Sequence, residues 1–478
     1  MILFKETFIK KLTNIVLVSA VFIGCGSALG QQQLTVGLYP YVPRIEQFRN
    51  AISNEWNKIH PDIQLKFLSD NEWDGGYEMN PSAATDVYVF DATYLNYFMS
   101  QNLLEPIDPQ EIQGLSDFLP YSSEGVKFGD KYFAIPQLGC ASLLFYNKND
   151  AAMASVATVA DLSKTLNQCT YTSRIPPDRR GLMVDMSGST TTAMMYLNAT
   201  YDLNGIYPFP LPPMQADVNK TAINNLRTVL NTGSILNATK PTDNPYQDAV
   251  WLSNGWGRAY VGYSESMSQM SEAERSQIAF KIMPLADNQQ NNPPFYADVI
   301  GINTTTNQRG TRQLAVELAN LMASQKTMIE SIDQQGSLPP QYLLPTRKSV
   351  LDDLAQRYPI YQNLSNMISS TNPIMFKLDE NSRDWLGSMK KTIQGDVLSN
   401  PACGCDYKAT QYIADQSSAA KTCNATCSSN GGWNGNWTNQ YPAAESGSVC
   451  GCNSCNTVLT EGVATNIGES RRKLLRKP

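Results

Sequence analysis

The sequence of 478 residues is nearly without histidine, since His60 is the single one. Imidazole is the usual partner of a serine or cysteine nucleophile and a frequent metal ligand, so its scarcity argues against Ser-His and Cys-His hydrolases. The sequence also lacks a Gly-rich phosphate loop, a serine-triad motif and a recognisable metal cluster. We therefore expect no cofactor.

Basic residues are fewer than acidic residues. There are 37 Lys and Arg residues against 43 Asp and Glu residues, which gives a formal net charge of -6. Proteins that bind nucleic acid rely on clustered Lys and Arg to contact phosphates. We therefore expect no nucleic acid partner, and a small cation suits this charge balance better.

Long apolar runs are confined to the N-terminus. Lys5, Lys10 and Lys11 precede the apolar residues 15–25, and small residues follow before Gln31. This arrangement predicts a signal peptide over residues 1–30 and a secreted or extracytoplasmic mature chain. Lipid modification of Cys25 is the alternative, although the residues before it fit that pattern poorly. No later run is long enough to span a bilayer.

Seven Asn-x-Ser/Thr sequons agree with export and predict N-glycosylation. A glycan has to lie on the protein surface, so we expect the seven asparagine side chains to be exposed. They are Asn198, Asn219, Asn237, Asn303, Asn363, Asn424 and Asn436.

The cysteines constrain the C-terminal part of the chain. Loss of Cys25 with the signal peptide leaves an odd number, so at least one cysteine stays free or pairs between chains. If Cys140 is free, Cys169 can pair with one tail cysteine and the other six can pair among themselves. The tail cysteines are Cys403, Cys405, Cys423, Cys427, Cys450, Cys452 and Cys455. Zinc is the alternative for the tail, but the tail lacks histidine and export favours disulfides.

Short β-rich runs alternate with amphipathic helical segments from residue 34 to about residue 398. Residues 34–39, 63–68 and 86–91 have the pattern of strands, and residues 44–59 place apolar side chains at helical spacing. This β-α-β order predicts an α/β fold with a mainly parallel sheet covered by helices.

The composition changes at residue 400. Beyond it the chain has many Cys, Asn, Gly, Ser and Thr residues and few large aliphatic ones, so it needs cross-links to hold a shape. We expect a Cys-rich, disulfide-stapled C-terminal extension over residues 400–478. Its basic end at residues 471–477 is expected to be a solvated terminus, with membrane or matrix attachment as the alternative.

The order of elements resembles the two-lobed type II periplasmic solute-binding proteins. The segment Gly129-Asp-Lys-Tyr-Phe-Ala-Ile-Pro136, followed by Leu144-Phe-Tyr-Asn-Lys148, looks like their first crossing between lobes. The resemblance implies two α/β lobes around a cleft, joined by more than one strand. The expected boundaries are residues 31–138 and 294–350 for lobe 1, and residues 139–293 and 351–399 for lobe 2.

Cys140 lies at this expected crossing, within Pro136-Gln-Leu-Gly-Cys140-Ala-Ser-Leu-Leu-Phe-Tyr146. With one histidine in the chain, the proton acceptor for a reactive thiol is expected to be a carboxylate. This segment and Gly262-Tyr-Ser-Glu265-Ser-Met267 resemble the thiaminase I (thiamine pyridinylase) family. The resemblance implies Cys140 as the nucleophile and Glu265 as its base. The residues alone leave open that Cys140 is a buried small hydrophobe and Glu265 a solvated helix cap.

Tyrosines and aspartates cluster at the expected strand ends, where ligands of open α/β sheets bind. By the same resemblance, the tyrosines would shape the cleft around flat or cationic rings, and the aspartates would bind the pyrimidine edges or offset the thiazolium charge. The candidate substrate-binding residues are Tyr39, Tyr41, Tyr77, Asp91, Tyr246, Tyr263, Tyr296 and Asp298. The alternative is that the tyrosines merely cover the lobe surfaces.

The resemblance implies a transferase that degrades thiamine, the signal peptide predicts that it is secreted, and we expect it to be a monomer. The thiolate would add to ring carbon 6 of the pyrimidine, the thiazole would leave, and a pyridine-like base, an amine or a thiol would replace it. We expect a closed cleft to raise the pKa of Glu265 toward neutrality. The alternative is a non-catalytic solute-binding protein for a small cationic or sugar ligand, since a fold does not fix a function. A Cys-rich adhesion module would leave most of the chain unexplained.

Overall fold

The computed structural model describes residues 33–168, 181–214, 218–233, 238, 245–288, 290–399, 405–439 and 447–454. The expected signal peptide, the basic end, Asn237, Cys25, Cys169, Cys403 and Cys455 lie outside these residues. Within the described ranges, no helix is long and apolar enough to cross a membrane.

A seven-stranded sheet, called here the first sheet, forms the centre of one lobe. Its strands in spatial order are Leu344–Pro345, Ile135–Cys140, Pro294–Ile302, Val87–Asp91, Gln33–Gly37 and Gln64–Phe67, with Ile374–Met375 paired to Pro294–Ile302. The strands expected near residues 34, 63 and 86 are thereby confirmed. The expected amphipathic helix is present as Ile45–Ile59 and buries Phe48, Ile52 and Trp56.

The first sheet is mixed, so the expectation of a mainly parallel sheet is wrong. Gln33–Gly37 is parallel to both of its neighbours. Pro294–Ile302, in contrast, is antiparallel to Val87–Asp91 and to Ile135–Cys140. The reason is that the chain returns from the second lobe through the middle of the sheet, beside the strand by which it left. The local β-α-β order of the first hundred residues carries no information about this return.

Helices cover the first sheet and extend further along the chain than expected. Lys348–Arg357 packs on Gln325–Ile332 and on the strand Leu344–Pro345, and Pro359–Thr371 packs on Lys348–Arg357. These contacts differ from the assignment of residues 351–399 to lobe 2, and we propose that lobe 1 extends to Met375. The remaining helices on this side are Leu95–Ser100, Pro120–Gly125, Thr305–Arg309 and Arg312–Met322.

The second sheet has four strands, in the order Ile278–Ile282, Leu143–Asn147, Ala259–Gly262 and Leu182–Met183. The helices of this lobe are Ala151–Ala154, Val159–Leu166, Thr190–Asn204, Lys220–Asn231, Gln247–Ser253, Glu272–Arg275 and Ser382–Leu398. The chain passes between the two sheets at residues 141–142, 283–293 and 376–381. These three connections agree with the two-lobed binding-protein fold.

The C-terminal extension has a small core of its own. Cys405–Lys408, Val449–Cys452 and Trp433–Thr438 form a three-stranded antiparallel sheet beside the helix Gln416–Thr426. Disulfides join Cys423 to Cys450 and Cys427 to Cys452. The expected disulfide stapling is confirmed for these pairs, and zinc ligation by these four cysteines is wrong because their thiolates are consumed in the disulfides.

Candidate active site

The register of the first sheet brings four of the expected site residues together. Cys140 is the last residue of its strand and lies directly opposite Tyr296. Asp298, two residues further along the same strand as Tyr296, lies opposite Asp91. Residues directly opposite each other in an antiparallel pair share one face of the sheet. Cys140 is partly buried and has a free thiol.

Glu265 reaches the same place from the second sheet. The strand Ala259–Gly262 pairs with Leu143–Asn147 so that Gly262 lies opposite Leu143, three residues after Cys140. Glu265 follows in the 3-10 turn Ser264–Gln269 and is only 8% exposed, so the solvated helix cap is wrong. Its Oε2 is buried without a hydrogen-bond partner. A buried, unpaired carboxylate oxygen costs stability, so its retention indicates that the oxygen serves a function.

Hydrogen bonds join two tyrosines to an aspartate on the lobe 1 side. The Tyr77 hydroxyl donates to Asp91 Oδ2 at 3.2 Å, and the hydroxyls of Tyr39 and Tyr77 are 2.9 Å apart. Because Tyr77 gives its single proton to Asp91, Tyr39 is the donor in the second bond. The Tyr41 ring lies edge-on to both tyrosines, with 5.5 Å between centroids. Tyr41, at 39% exposed, is the most open of the three.

The remaining expected residues lie around the thiol. The rings of Tyr263 and Tyr296 meet edge-to-face at a centroid distance of 6.2 Å. Burial raises the pKa of Tyr246, and the charges of Glu265 and Cys140 raise it further. Tyr246 is therefore within electrostatic reach of both proposed catalytic groups. The ten residues singled out in the sequence thus converge on one region at the junction of the two sheets.

Burial dominates the ionisation of the site. It raises the pKa of Glu265 to about 7, opposed by a hydrogen bond from the residue's own backbone N–H. The pKa of the Cys140 thiol is raised by burial first and then by the charges of Glu265, Asp298 and Asp91. The pKa of Asp298 is raised by burial, Asp91 and Glu265. The rise in the pKa of Glu265 toward neutrality is confirmed, and burial causes it. The negative charges of neighbouring carboxylates instead raise the pKa values of Asp298 and Cys140.

The sequence analysis did not identify three polar side chains that contact the site tyrosines. Asn198 Nδ2 donates a 2.7 Å hydrogen bond to the Tyr296 hydroxyl, and Ser142 is hydrogen-bonded to the same oxygen. Thr191 is hydrogen-bonded to Tyr263. Both Thr191 and Asn198 lie on the helix Thr190–Asn204. Asn198 carried a signal in the sequence, but the signal pointed to glycosylation.

The exposure expected of the sequon asparagines is wrong at two positions. Asn198 is 5% exposed and Asn303 is 1% exposed, and the Nδ2 of Asn303 donates to Ser82 O. Side chains used in internal hydrogen bonds leave no room for a glycan. Exposure is confirmed for Asn219, Asn363 and Asn424, and the Asn436 side chain lies outside the described part of the chain.

Together, the fold and the site define a class of protein. It has the two-lobed binding-protein architecture, and a partly buried thiol and a buried carboxyl with one unpaired oxygen lie where the lobes join. A family model described as "Thiaminase-1 domain" matches residues 141–286. The chain is 33% identical over 398 residues to Thiaminase-1 of Paenibacillus thiaminolyticus, covering 82% of this chain and 95% of the relative. The chain therefore belongs to the thiaminase I family.

Solved structures agree with this assignment. Clostridium botulinum thiaminase I in complex with thiamin is similar with a TM-score of 0.72 and 36% identity, covering 76% of this chain and 99% of that one. Thiaminase I from Bacillus thiaminolyticus gives a TM-score of 0.71 and 34% identity, covering 77% and 99%. The maltose-bound T. maritima MalE3 protein is 14% identical with a TM-score of 0.55, covering 76% of this chain and 99% of its own, and it supports the fold alone. A second family model, "Mannan-binding protein", matches residues 416–452 in the extension.

Proposed function

We propose that this protein is a secreted transferase that cleaves thiamine and passes its pyrimidinylmethyl group to a small nucleophile. The observation that carries the proposal is the buried Glu265 Oε2, which has no hydrogen-bond partner. Glu265 lies three residues after Gly262, which pairs with Leu143, and Leu143 lies three residues after Cys140. Membership of the thiaminase I family and the likeness to a thiamin-bound relative support the substrate. A receptor for thiamine would need neither a free thiol nor an unpaired base.

Each step of the proposed reaction balances. Glu265 takes the proton from Cys140 Sγ, and the thiolate forms a bond to pyrimidine carbon 6. The bond from the methylene to the thiazolium nitrogen then breaks, and the thiazole leaves as a neutral ring with the bonding electron pair. The incoming nucleophile bonds to the methylene, the sulfur–carbon bond breaks, and the thiolate is released. Glu265 then returns its proton to the released Cys140 thiolate, and an amine or thiol nucleophile passes its own proton to the solvent, so that both groups are ready for the next turnover.

The charge of the substrate fits the resting state of the site. Cys140, Asp298 and Glu265 all have raised pKa values, so an empty cleft favours a neutral thiol. The thiazolium cation would lower these pKa values by direct attraction to the anionic forms. Thiolate formation is thereby coupled to substrate binding, which protects the thiol between turnovers. Asp91 and Asp298 would offset the thiazolium charge, and the site tyrosines would enclose its rings.

The test is a thiamine assay on the purified protein. With thiamine and pyridine or aniline, the wild type is expected to release the thiazole alcohol at the rate at which base-exchanged product forms. Cys140→Ser is expected to lose at least about a hundredfold in kcat while still binding thiamine, because its hydroxyl is a poor nucleophile without a stronger base. Saturable thiamine binding without turnover by the wild type would support the non-catalytic alternative and contradict the proposal.

Secretion and a monomeric state form part of the proposal. Two disulfides among the described residues support an extracytoplasmic location, because such bonds persist in oxidising compartments. A cleaved N-terminus near Gln31 in the extracellular fraction is the expected finding.

We also propose a second function, in which the C-terminal extension binds a mannan-type glycan. The supporting observation is the match of residues 416–452 to the mannan-binding model, a segment that contains the helix Gln416–Thr426 and both disulfides. The full chain is expected to be retained on immobilised mannan and released by soluble mannan. A chain ending at Ser399 is the control. We expect it to appear in the unretained flow-through and to cleave thiamine within about twofold of the wild-type rate. Equal retention of both chains would contradict the assignment.

A further inference from the structure

The sequon asparagine Asn198 has a position that glycosylation does not explain. It lies on the helix Thr190–Asn204, is 5% exposed, and donates from Nδ2 to the Tyr296 hydroxyl at 2.7 Å. Its Oδ1 has no hydrogen-bond partner. The side chain is therefore buried at the cost of one unsatisfied acceptor, and its single polar contact is to a tyrosine opposite Cys140.

The direction of the hydrogen bonds to Tyr296 is fixed by their donors. An amide nitrogen can only donate, so the Tyr296 oxygen accepts from Asn198. Ser142 is hydrogen-bonded to the same phenol and lowers the pKa of Tyr296. A phenol oxygen has two lone pairs and one proton. Because Asn198 can only donate to it, the Tyr296 hydroxyl gives its own proton to a different acceptor, and a substrate in the cleft beside Cys140 supplies one.

We propose that Asn198, together with Ser142, is a positioning residue that makes Tyr296 a hydrogen-bond donor to the bound substrate. This inference rests on the proposed function. The acceptor is a ring nitrogen of the aminopyrimidine, the part of the substrate that receives the thiolate. Donation to a ring nitrogen withdraws electron density from the ring, which favours attack at the neighbouring carbon by Cys140. The Asn198 sequon is consequently unmodified in the active protein.

The sharpest variant is Asn198→Leu, which keeps the approximate shape of the side chain and removes both polar atoms. Truncation to alanine is less informative, because Asn198 lines a cavity of about 320 Å³ and water would enter the vacated space. We expect Asn198→Leu to lower kcat about tenfold, the loss typical of one hydrogen bond, with little change in KM. Its Tm is expected to equal or exceed that of the wild type, since the orphaned Oδ1 is gone.

A double-mutant cycle separates positioning from packing. If Asn198 acts through Tyr296, then Asn198→Leu in a Tyr296→Phe background is expected to cause no further loss of kcat. A kcat of Asn198→Leu within twofold of the wild type overturns the inference, and so do multiplicative losses in the double variant. If Asn198→Leu proves too unstable to assay, Ser142→Ala takes its place in the same cycle with the same two outcomes.

Thr200 offers a matched control for the sequon. Thr200→Ala destroys the glycosylation signal but leaves Asn198, and it removes only a hydroxyl that bonds to Tyr196 O within the helix. We expect wild-type kcat from this variant and an unmodified Asn198 peptide in the mass spectrum of the secreted full chain. A glycan on Asn198 in active protein overturns the inference. Absence of thiamine cleavage by the wild type would instead remove the proposed function.

Discussion

At the scale of single residues, the site joins a thiol that is hard to ionise, the proposed nucleophile, to a carboxyl whose pKa lies near neutrality, the proposed base. The pKa of Cys140 is raised by burial and by three carboxylates, and burial brings the pKa of Glu265 to about 7. A thiol held neutral at rest resists oxidation in an oxidising compartment. A carboxylate with a pKa near 7 can accept the thiol proton and later return it at ordinary pH.

The Glu265 assignment predicts a particular pH profile. Because the base acts as a carboxylate, kcat/KM of the wild type is expected to rise with pH up to about 7 and then level off. The inflection in kcat is expected at a lower pH, since the bound thiazolium lowers the pKa of Glu265. Glu265→Gln is expected to lose at least about a hundredfold in kcat and to show no inflection near 7. Near-normal turnover of Glu265→Gln across neutral pH would show that another group is the base.

At the scale of elements, a close contact from a helix fixes the position of the strand that carries Cys140. The helix Pro120–Gly125 directs the Tyr121 hydroxyl to the point where a Cβ on Gly139 would lie. This hydroxyl is buried and has no hydrogen-bond partner. Glycine next to Cys140 is therefore required by packing, and a side chain there would push the strand away from the helix.

Gly139→Ala is expected to destabilise the protein by about 2 kcal/mol, the usual effect of overpacking, and to lower kcat because Cys140 moves with its strand. Urea unfolding and the thiamine assay measure the two effects. Tyr121→Phe is expected to be nearly neutral alone and to rescue Gly139→Ala, since it removes the oxygen that collides. Gly387→Ala is the control, because nothing lies within 4 Å of its Cβ position. A failure of Tyr121→Phe to rescue either measurement would contradict this account.

At the scale of the whole molecule, the buried carboxyls make stability depend on pH. The folded pKa of Glu265 is about 7 against an ordinary value of 4.5, so the folded state binds the proton more tightly. Stability is therefore expected to fall as pH rises from about 5 to 8, by up to about 3 kcal/mol for this group. Asp202, whose pKa is also raised to about 7 by burial, adds a second decrease of the same sign.

Urea unfolding midpoints at pH 5 and pH 8 measure this dependence. We expect Glu265→Gln to be less sensitive to pH than the wild type and more stable at pH 8, although it is nearly inactive. Asp202→Asn is expected to reduce the pH sensitivity in the same way. A wild type that becomes more stable between pH 5 and pH 8 would show that neither carboxyl binds its proton more tightly when folded.

Much of the local structure was predictable from sequence, and so were the two segments that carry the proposed catalytic pair. The alternation of Leu34 and Val36 and the helical spacing of Phe48 and Trp56 are local patterns, so the first strands and helix were predicted within a few residues. The cysteine spacing predicted a stapled extension. The thiaminase-like segments around Cys140 and Glu265 were recognisable because each motif is contiguous.

The tertiary structure decided what depends on distant residues meeting. The mixed direction of the first sheet arises from the return of Pro294–Ile302, and the proposal that the helix Lys348–Arg357 belongs to lobe 1 rests on its packing against Gln325–Ile332 and Leu344–Pro345. The tripeptide at Asn198 is the same in sequence whether its side chain faces solvent or bonds to Tyr296. The amino-acid sequence by itself determined the apolar periodicity of the strands and helices and the residue types of each contiguous motif, because both depend on residues that are near neighbours in the chain. Burial, register and the direction of hydrogen bonds needed the folded molecule, because they are set by segments as many as 307 residues apart in the chain.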